Sequence, residues 1–272
     1  MPEIKKELFE LYLGEVKLEF SPSSHRYKIS DNGSKPRHCP SVTTILNVLA
    51  KPALVEWGVR CACDYVYDNL QALTKQNSFS IEQVFKIVEM ARTAHDRTRQ
   101  EAADIGTEAH DWLRDHWFSV IRKTDKPAMP GDPKVKNCVT AALDWFSQHK
   151  VVPVAVEVPL YSRLLKICGR EDFIGLVDDE FSVLDYKSTK FLYPEVALQM
   201  CPYAKMYHEE YGRLPETRWG LRMDKNTGEF EDKKYKPETF DLDWDTFLAT
   251  FKIYDRLKHL RRKEKKDFLE GL

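Results

Sequence analysis

The chain has 272 residues, 42% of them apolar and 31% charged, with a formal net charge of −1. That is the composition of a globular protein with room for one large domain or two small ones. No apolar run reaches the roughly eighteen residues a membrane span requires, and near-neutral charge leaves any nucleic-acid binding to a local basic patch.

The N-terminal stretch MPEIKKELFELYLGE mixes acids with lysines and lacks an apolar segment followed by small residues. It therefore reads neither as a signal nor as a transit peptide. The expectation is a soluble, intracellular, cytoplasmic protein whose six scattered cysteines remain thiols. GEVKLEF and HRYKI read as strands, with Asn32-Gly33 as a turn. Ser41 is placed to cap a helix over VTTILNVLA (42–50), which Lys51-Pro52 ends. Apolar residues recur at helical spacing over 53–73, 80–103 and 104–123; KPAMPGDP (126–133) is a connector and 134–149 a further helix.

At Val151 the texture changes. VVPVAVEVPLYS, DFIGLVD and FSVLDYK read as three strands, 193–211 as a helix, and TRWGLRM with GEFEDKKY as a hairpin around Asn226-Thr227-Gly228. A charged helix closes the chain. This order predicts an α/β sandwich. Residues 1–149 would hold N-terminal strands and a helical lobe, including the His110 helix, and 150–272 the α/β core with its hairpin and closing helix.

The segment from Gly169 to Thr189, GREDFIGLVDDEFSVLDYKST, carries the chemistry. With a turn at Asp179-Glu180 and Asp178 opposite Phe181, Asp172 falls opposite Lys187 and Ile174 opposite Asp185. Side chains alternate along a strand, so Asp172, Asp185 and Lys187 share one face, and Phe173, Val177, Leu184 and Tyr186 the other. Charge at a strand end can simply mark its arrival in solvent. Two carboxylates converging on an otherwise apolar face, however, are costly to bury unless a cation joins them. Lys187 offsets one charge, and a hard divalent ion such as Mg²⁺ suits the remainder.

The same segment resembles the PD-(D/E)XK nucleases, in particular their RecB-like branch. There a Gly-x-x-Asp strand is followed by a short hairpin and Asp-aromatic-Lys-Thr/Ser, here Gly169 to Asp172 and Asp185 to Ser188. GTEAH supplies Gly106 and His110 on the preceding helix, and QMCPY supplies Gln199 and Tyr203 on the following one. Glu171 stands where the superfamily name has proline, which members of this branch commonly lack. PSVTTIL (40–46), the tryptophan of LVEWG, and FIGLVD followed by DYKS are similar to phage-encoded exonucleases and to the mitochondrial genome maintenance exonuclease.

The resemblance implies a restriction-endonuclease-like core, a central mixed sheet flanked by helices, with the helical lobe added. It implies Mg²⁺ or Mn²⁺ held by His110, Asp172, Asp185 and the Tyr186 carbonyl, with Lys187 orienting the attacking water. Gln199 would hold phosphate or water, and Tyr203 would brace it. A histidine on a buried helix stripe with Leu113, Trp117 and Ile121 is also compatible with a plain core role. Some relatives carry an iron–sulfur cluster; no cysteine follows Cys201 here, so none is expected. Ser41 and Thr43, at a helix start, serve either as caps or as phosphate contacts. Arg170, Ser188 and Lys190 flank the catalytic strands and are candidate contacts to DNA backbone.

The expected activity is a metal-dependent DNA exonuclease acting on single-stranded ends. Helical residues 41–149 exceed what a minimal core needs, which suggests a passage near His110 that admits a flexible strand more readily than a duplex. Trp57 or Tyr65 would stack its bases. A recombination or single-strand-binding protein is an expected partner. The alternatives are a structure-selective endonuclease with the same site, or a silent DNA-binding partner that keeps the fold.

Overall fold

A computed structural model describes residues 6–49, 51–75 and 79–270, without the side chains of 265–270. Residues 1–5, where the leader reading begins, Ala50 at the end of the expected 42–50 helix, and the side chains of Lys265 and Lys266 lie outside that description. The chain forms two compact units, one from Met1–Leu49 and Ala109–Leu272, the other from Ala50–Glu108. The unit boundaries thus fall at 49/50 and 108/109 rather than at the expected 149/150. No helix among the described residues is long and apolar enough to cross a membrane.

The first unit opens with an antiparallel meander of β1 (Glu7–Leu11), β2 (Val16–Ser21), β3 (Arg26–Asp31) and β4 (Arg37–Cys39). Alternation decides its inner face: Val16, Leu18, Tyr27 and Ile29 are buried, and Lys17 and Lys28 point out. Sequence reading found β2 and β3 but not their outer neighbours β1 and β4. Asn32 and Gly33 both adopt left-handed backbone, as expected of this turn pair.

The larger sheet has the order β5 (Val151–Ser162), β6 (Ile167–Val177), β7 (Glu180–Lys187), β8 (Thr217–Met223), β9 (Phe230–Tyr235). Only β7 and β8 run parallel, so the sheet is mixed. A parallel pair needs a crossover, supplied by α6 (Glu195–Tyr211). One face packs on α6 and on α7 (Phe240–Glu270) through Val158, Leu160, Ile174, Val183, Met200 and Phe247. The other meets α5 (Pro133–Gln148), where Trp145 and Trp219 contact edge to face, and Trp117, which packs on Phe173. The meander shares a core with Tyr161 and Cys168 at one end of this sheet.

The remaining helices are α1 (Val42–Leu46), α2 (Pro52–Thr74), α3 (Ile81–Ala91) and α4 (Ala94–Arg122). Ser41 caps α1 as expected, its hydroxyl accepting the Thr44 N–H at 3.2 Å, but α1 stops at Leu46 in tighter turns through Val48 and Leu49. A capping box of Ser80 and Gln83 starts α3. The expected break at 103/104 lies instead at 92–93, where the Thr93 carbonyl begins a new ladder by accepting from Asp96 and Arg97. The helix then continues through Gly106 to Arg122.

The β6–β7 turn differs from expectation by two residues in register. Val177 pairs with Glu180 and Ile174 with Val183, so the turn is Asp178-Asp179. Both have positive φ, 51° and 67°, the geometry of a two-residue hairpin turn matched to strand twist. A slip of two preserves every side chain's face. The face assignment therefore holds while the individual pairings change.

Buried Arg218 ties β8 to both covering helices. Its guanidinium donates to Asp243 at 2.9 Å, to Thr239 at 2.9 Å and to the Ala197 carbonyl at 3.3 Å. Removing one partner of a buried pair strands the other. Asp243→Ala should cost about 3 kcal/mol in urea unfolding, and Asp243→Ala with Arg218→Met should cost less than the single change. Equal losses in the two variants would show that the pair does not hold the helices.

Candidate active site

The site forms where the β6–β7 ladder ends. Regular pairing runs to Phe173 opposite Leu184. Beyond it, the Tyr186 N–H is accepted by the Asp172 carboxylate at 2.8 Å rather than by backbone. The strands part here, while β7 stays paired with β8 as far as Lys187 opposite Arg222. Asp185 thus keeps its place in the sheet, and Asp172 is released to reach across.

Lys187 Nζ lies 2.8 and 2.6 Å from the two oxygens of Asp185. Gln199 Nε2 donates to Asp185 Oδ1 at 3.1 Å from the crossover helix. His110 Nδ1 is 3.4 Å from Asp172 Oδ1. Its helix is seated by Trp117, one turn beyond Leu113 on the same face; the Trp117 Nε1 donates to the Tyr186 hydroxyl at 2.9 Å. Leu113 and Trp117 are buried as the stripe predicts; Ile121 is not, because the helix has emerged by then.

Gly169 explains its own place in the motif. A Cβ there would stand 2.5 Å from Tyr203 Cε1 and 3.0 Å from its hydroxyl. Glycine lets the buried Tyr203 ring close on β6, which brings the Gln199 turn of α6 to the site.

Two acids were missed by sequence reading. Glu157 sits in the middle of β5 with φ 49°, in left-handed backbone, while Val156 and Val158 on either side pair with Phe173 and Glu171. That left-handed residue interrupts the alternation of the strand. Donor atoms of Glu157, His110 and Asp172 lie within 4.8 Å of one another. A non-glycine acid inside a strand leaves no sequence signal for such a twist. Glu171, read only as the residue in the proline position, is 1% exposed, and neither carboxylate oxygen has a hydrogen-bond partner among the described residues.

The charges are strongly coupled. Burial opposes protonation of His110, but the Asp172 carboxylate outweighs it and pushes the imidazole up to about 9. Burial likewise penalises Asp172, yet His110, Lys187 and the Tyr186 N–H hold it below its ordinary value. Glu157 is pushed up to about 7 by burial and by Asp172, against His110 and Arg170. Asp185 rises to about 6 through burial, despite Lys187. Burial and the Asp185 and Asp172 charges drive Glu171 well above the carboxylate range. Lys187 is raised because Asp185 and Asp172 overcome its desolvation.

The remaining candidates separate. Arg170 bonds Glu7, approaches Glu157 at 3.5 Å and lies over the rings of Phe9 and Phe20. It ties Glu157 to the meander. Ser41, 7% exposed, is spent on capping, with its hydroxyl also 3.0 Å from that of Thr43. Ser188 is half-buried and Lys190 exposed, directly after β7. In the other unit, Trp57 stands edge-on to His95, and Arg97 covers Tyr65. His116 is buried in an aromatic stack with Trp112 and Phe146, a core role.

A model of the PD-(D/E)XK nuclease superfamily matches residues 60–264, and the chain belongs to that superfamily. Among curated proteins no relative matches it. One similar solved structure is the alkaline exonuclease LHK-Exo from Laribacter hongkongensis, at 16% identity, covering 46% of this chain and 69% of that one with a TM-score of 0.27.

Two outcomes follow from this geometry. Gly169→Ala should destabilise the protein by about 1–3 kcal/mol through overpacking; adding Tyr203→Leu should recover part of it, whereas Tyr203→Phe, which keeps the ring edge, should not. The second concerns pH. Glu157 and Asp185 bind protons more tightly folded than unfolded, so the stability they contribute is present near pH 4 and lost as pH rises through about 6 and about 7. His110 acts in the same direction between its ordinary value and about 9. In EDTA the thermal midpoint should therefore fall by about 5 °C or more between about pH 5 and about pH 8. Glu157→Gln should flatten the fall, and a rising midpoint would contradict the assignment.

Proposed function

We propose that this nuclease is a metal-dependent deoxyribonuclease that works as an exonuclease from single-stranded ends. The observation that carries the reading is the convergence of Asp172, Asp185 and Lys187 at the parted ends of β6 and β7, with His110 against Asp172.

The donor set fits a divalent cation. His110, Glu157 and Asp172 offer one imidazole nitrogen and two carboxylate oxygens in a small space, and the site holds more acids than bases. These three would hold Mg²⁺ or Mn²⁺, joined by Asp185 and the Tyr186 carbonyl as the resemblance implies. When bound, such an ion lowers the pKa of water and offsets charge on the phosphoryl oxygens. Lys187 would orient the attacking water and donate to the charge that develops on phosphate. Asp185 aims that ammonium, Gln199 aims Asp185, and Tyr203 on Gly169 fixes the helix that carries Gln199. Ser188 and Lys190 would meet backbone phosphate where the strand leaves the sheet.

The exonuclease reading rests on the sequence likeness and on helices α2 (Pro52–Thr74) and α3 (Ile81–Ala91), which a minimal nuclease does not need. Purified protein incubated with Mg²⁺, Mn²⁺ or EDTA should degrade linear single-stranded DNA only with metal, and spare closed circular single strands. Comparable cutting of the circles would favour the endonuclease reading. Lys187→Ala and Asp172→Asn should each lower turnover at least about a hundredfold while the far-ultraviolet dichroism stays native. Turnover within tenfold of the parent in Lys187→Ala would remove that residue from the chemistry.

A further inference from the structure

Four residues past Lys187 the chain leaves the sheet and shows two aromatic rings to solvent. Phe191 is 55% exposed and Tyr193 41%. Their centroids are 6.4 Å apart, edge to face, and Lys190 Nζ stands 5.5 Å from the Phe191 centroid. The segment is held in place at three points. Thr189 Oγ1 donates to the Phe191 carbonyl at 2.8 Å. The Tyr193 carbonyl accepts the Val196 N–H at 3.0 Å, where α6 opens. Between the two rings, Leu192 turns the other way and packs on the core.

The Leu192 anchor fixes where the rings stand. A Cβ at Gly220 would lie 3.4 Å from Leu192 Cδ2, and Gly220 is the β8 partner of Asp185. Leu192 is thus seated on the strand neighbour of a site carboxylate. Phe191 and Tyr193, one residue to either side, are held outward next to the catalytic strand end. Pre-set rings of this kind lose little freedom on meeting a flat partner.

We propose that Phe191, Tyr193 and Lys190 form a stacking platform for an unpaired base of the strand that enters the site, an assignment that rests on the nuclease reading above. A base inside a duplex has both π-faces covered by its stacked neighbours, whereas an unpaired base offers one, and stacking tolerates any sequence, as a degrading enzyme requires. The adjacent ammonium suits the phosphodiester linked to that base. The platform therefore selects unpaired strands beside the site itself, independently of any threading.

The test is binding in Ca²⁺, so that it does not depend on turnover. A fluorescent oligodeoxythymidylate and an abasic oligonucleotide of the same length are titrated with the parent, Phe191→Ala, Tyr193→Ala and Phe191→Trp. The alanine variants should weaken binding of the thymidylate roughly 5- to 150-fold and leave the abasic strand unchanged; Phe191→Trp should retain it. Equal losses on both strands, no loss on either, or a parent that binds neither would overturn the platform. Absence of cleavage by a parent that binds thymidylate in this ring-dependent way would refute the nuclease reading alone.

Discussion

The contact on which the site depends is the hydrogen bond from the Tyr186 N–H to the Asp172 carboxylate. A backbone donor inside a sheet must be satisfied, and here a side chain does so where a carbonyl would ordinarily stand. That exchange lets β6 leave β7 without an orphaned amide. It also aims Asp172 at His110 while Asp185, still paired to β8, is aimed at Lys187. Two ion pairs side by side, one per strand, result from one broken rung.

Around this rung the protein concentrates acids. Glu157, Glu171, Asp172 and Asp185 crowd a space in which Lys187 and His110 are the nearest cations, with Arg170 bracing from the meander side. The raised carboxyls are the physical expression of that imbalance. Burying such groups near one another costs folding stability, and carboxyls perturbed in this way are common at sites of chemistry.

Much of this was legible in the sequence because its signals are local. Asp172 to Lys187 lie on one hairpin, and period-two alternation fixes their shared face even when the register is misjudged by two. Gln199 and Tyr203 share a helix turn. Glu157 was illegible because its contribution arises from a left-handed residue within a strand, a twist imposed by tertiary packing. The same holds for Glu171, whose neighbours come from other strands. The contacts of Arg170 could not be foreseen either: a basic side chain near a site looks the same whether it braces the protein or waits for phosphate. The outer meander strands were missed because β4 is only three residues long and β1 lies in the charged opening stretch.

The parallel pairing of β7 with β8 has a consequence for the nascent chain. The β6–β7 hairpin closes through contacts a few residues apart, but its outer edge is satisfied only by a strand some thirty residues further on, after the crossover helix. Until that strand arrives, FSVLDY is an unpaired edge with a strongly apolar composition, open to the wrong neighbour. The site thus matures from the hairpin outward, and its completion waits on the most non-local pairing in the sheet.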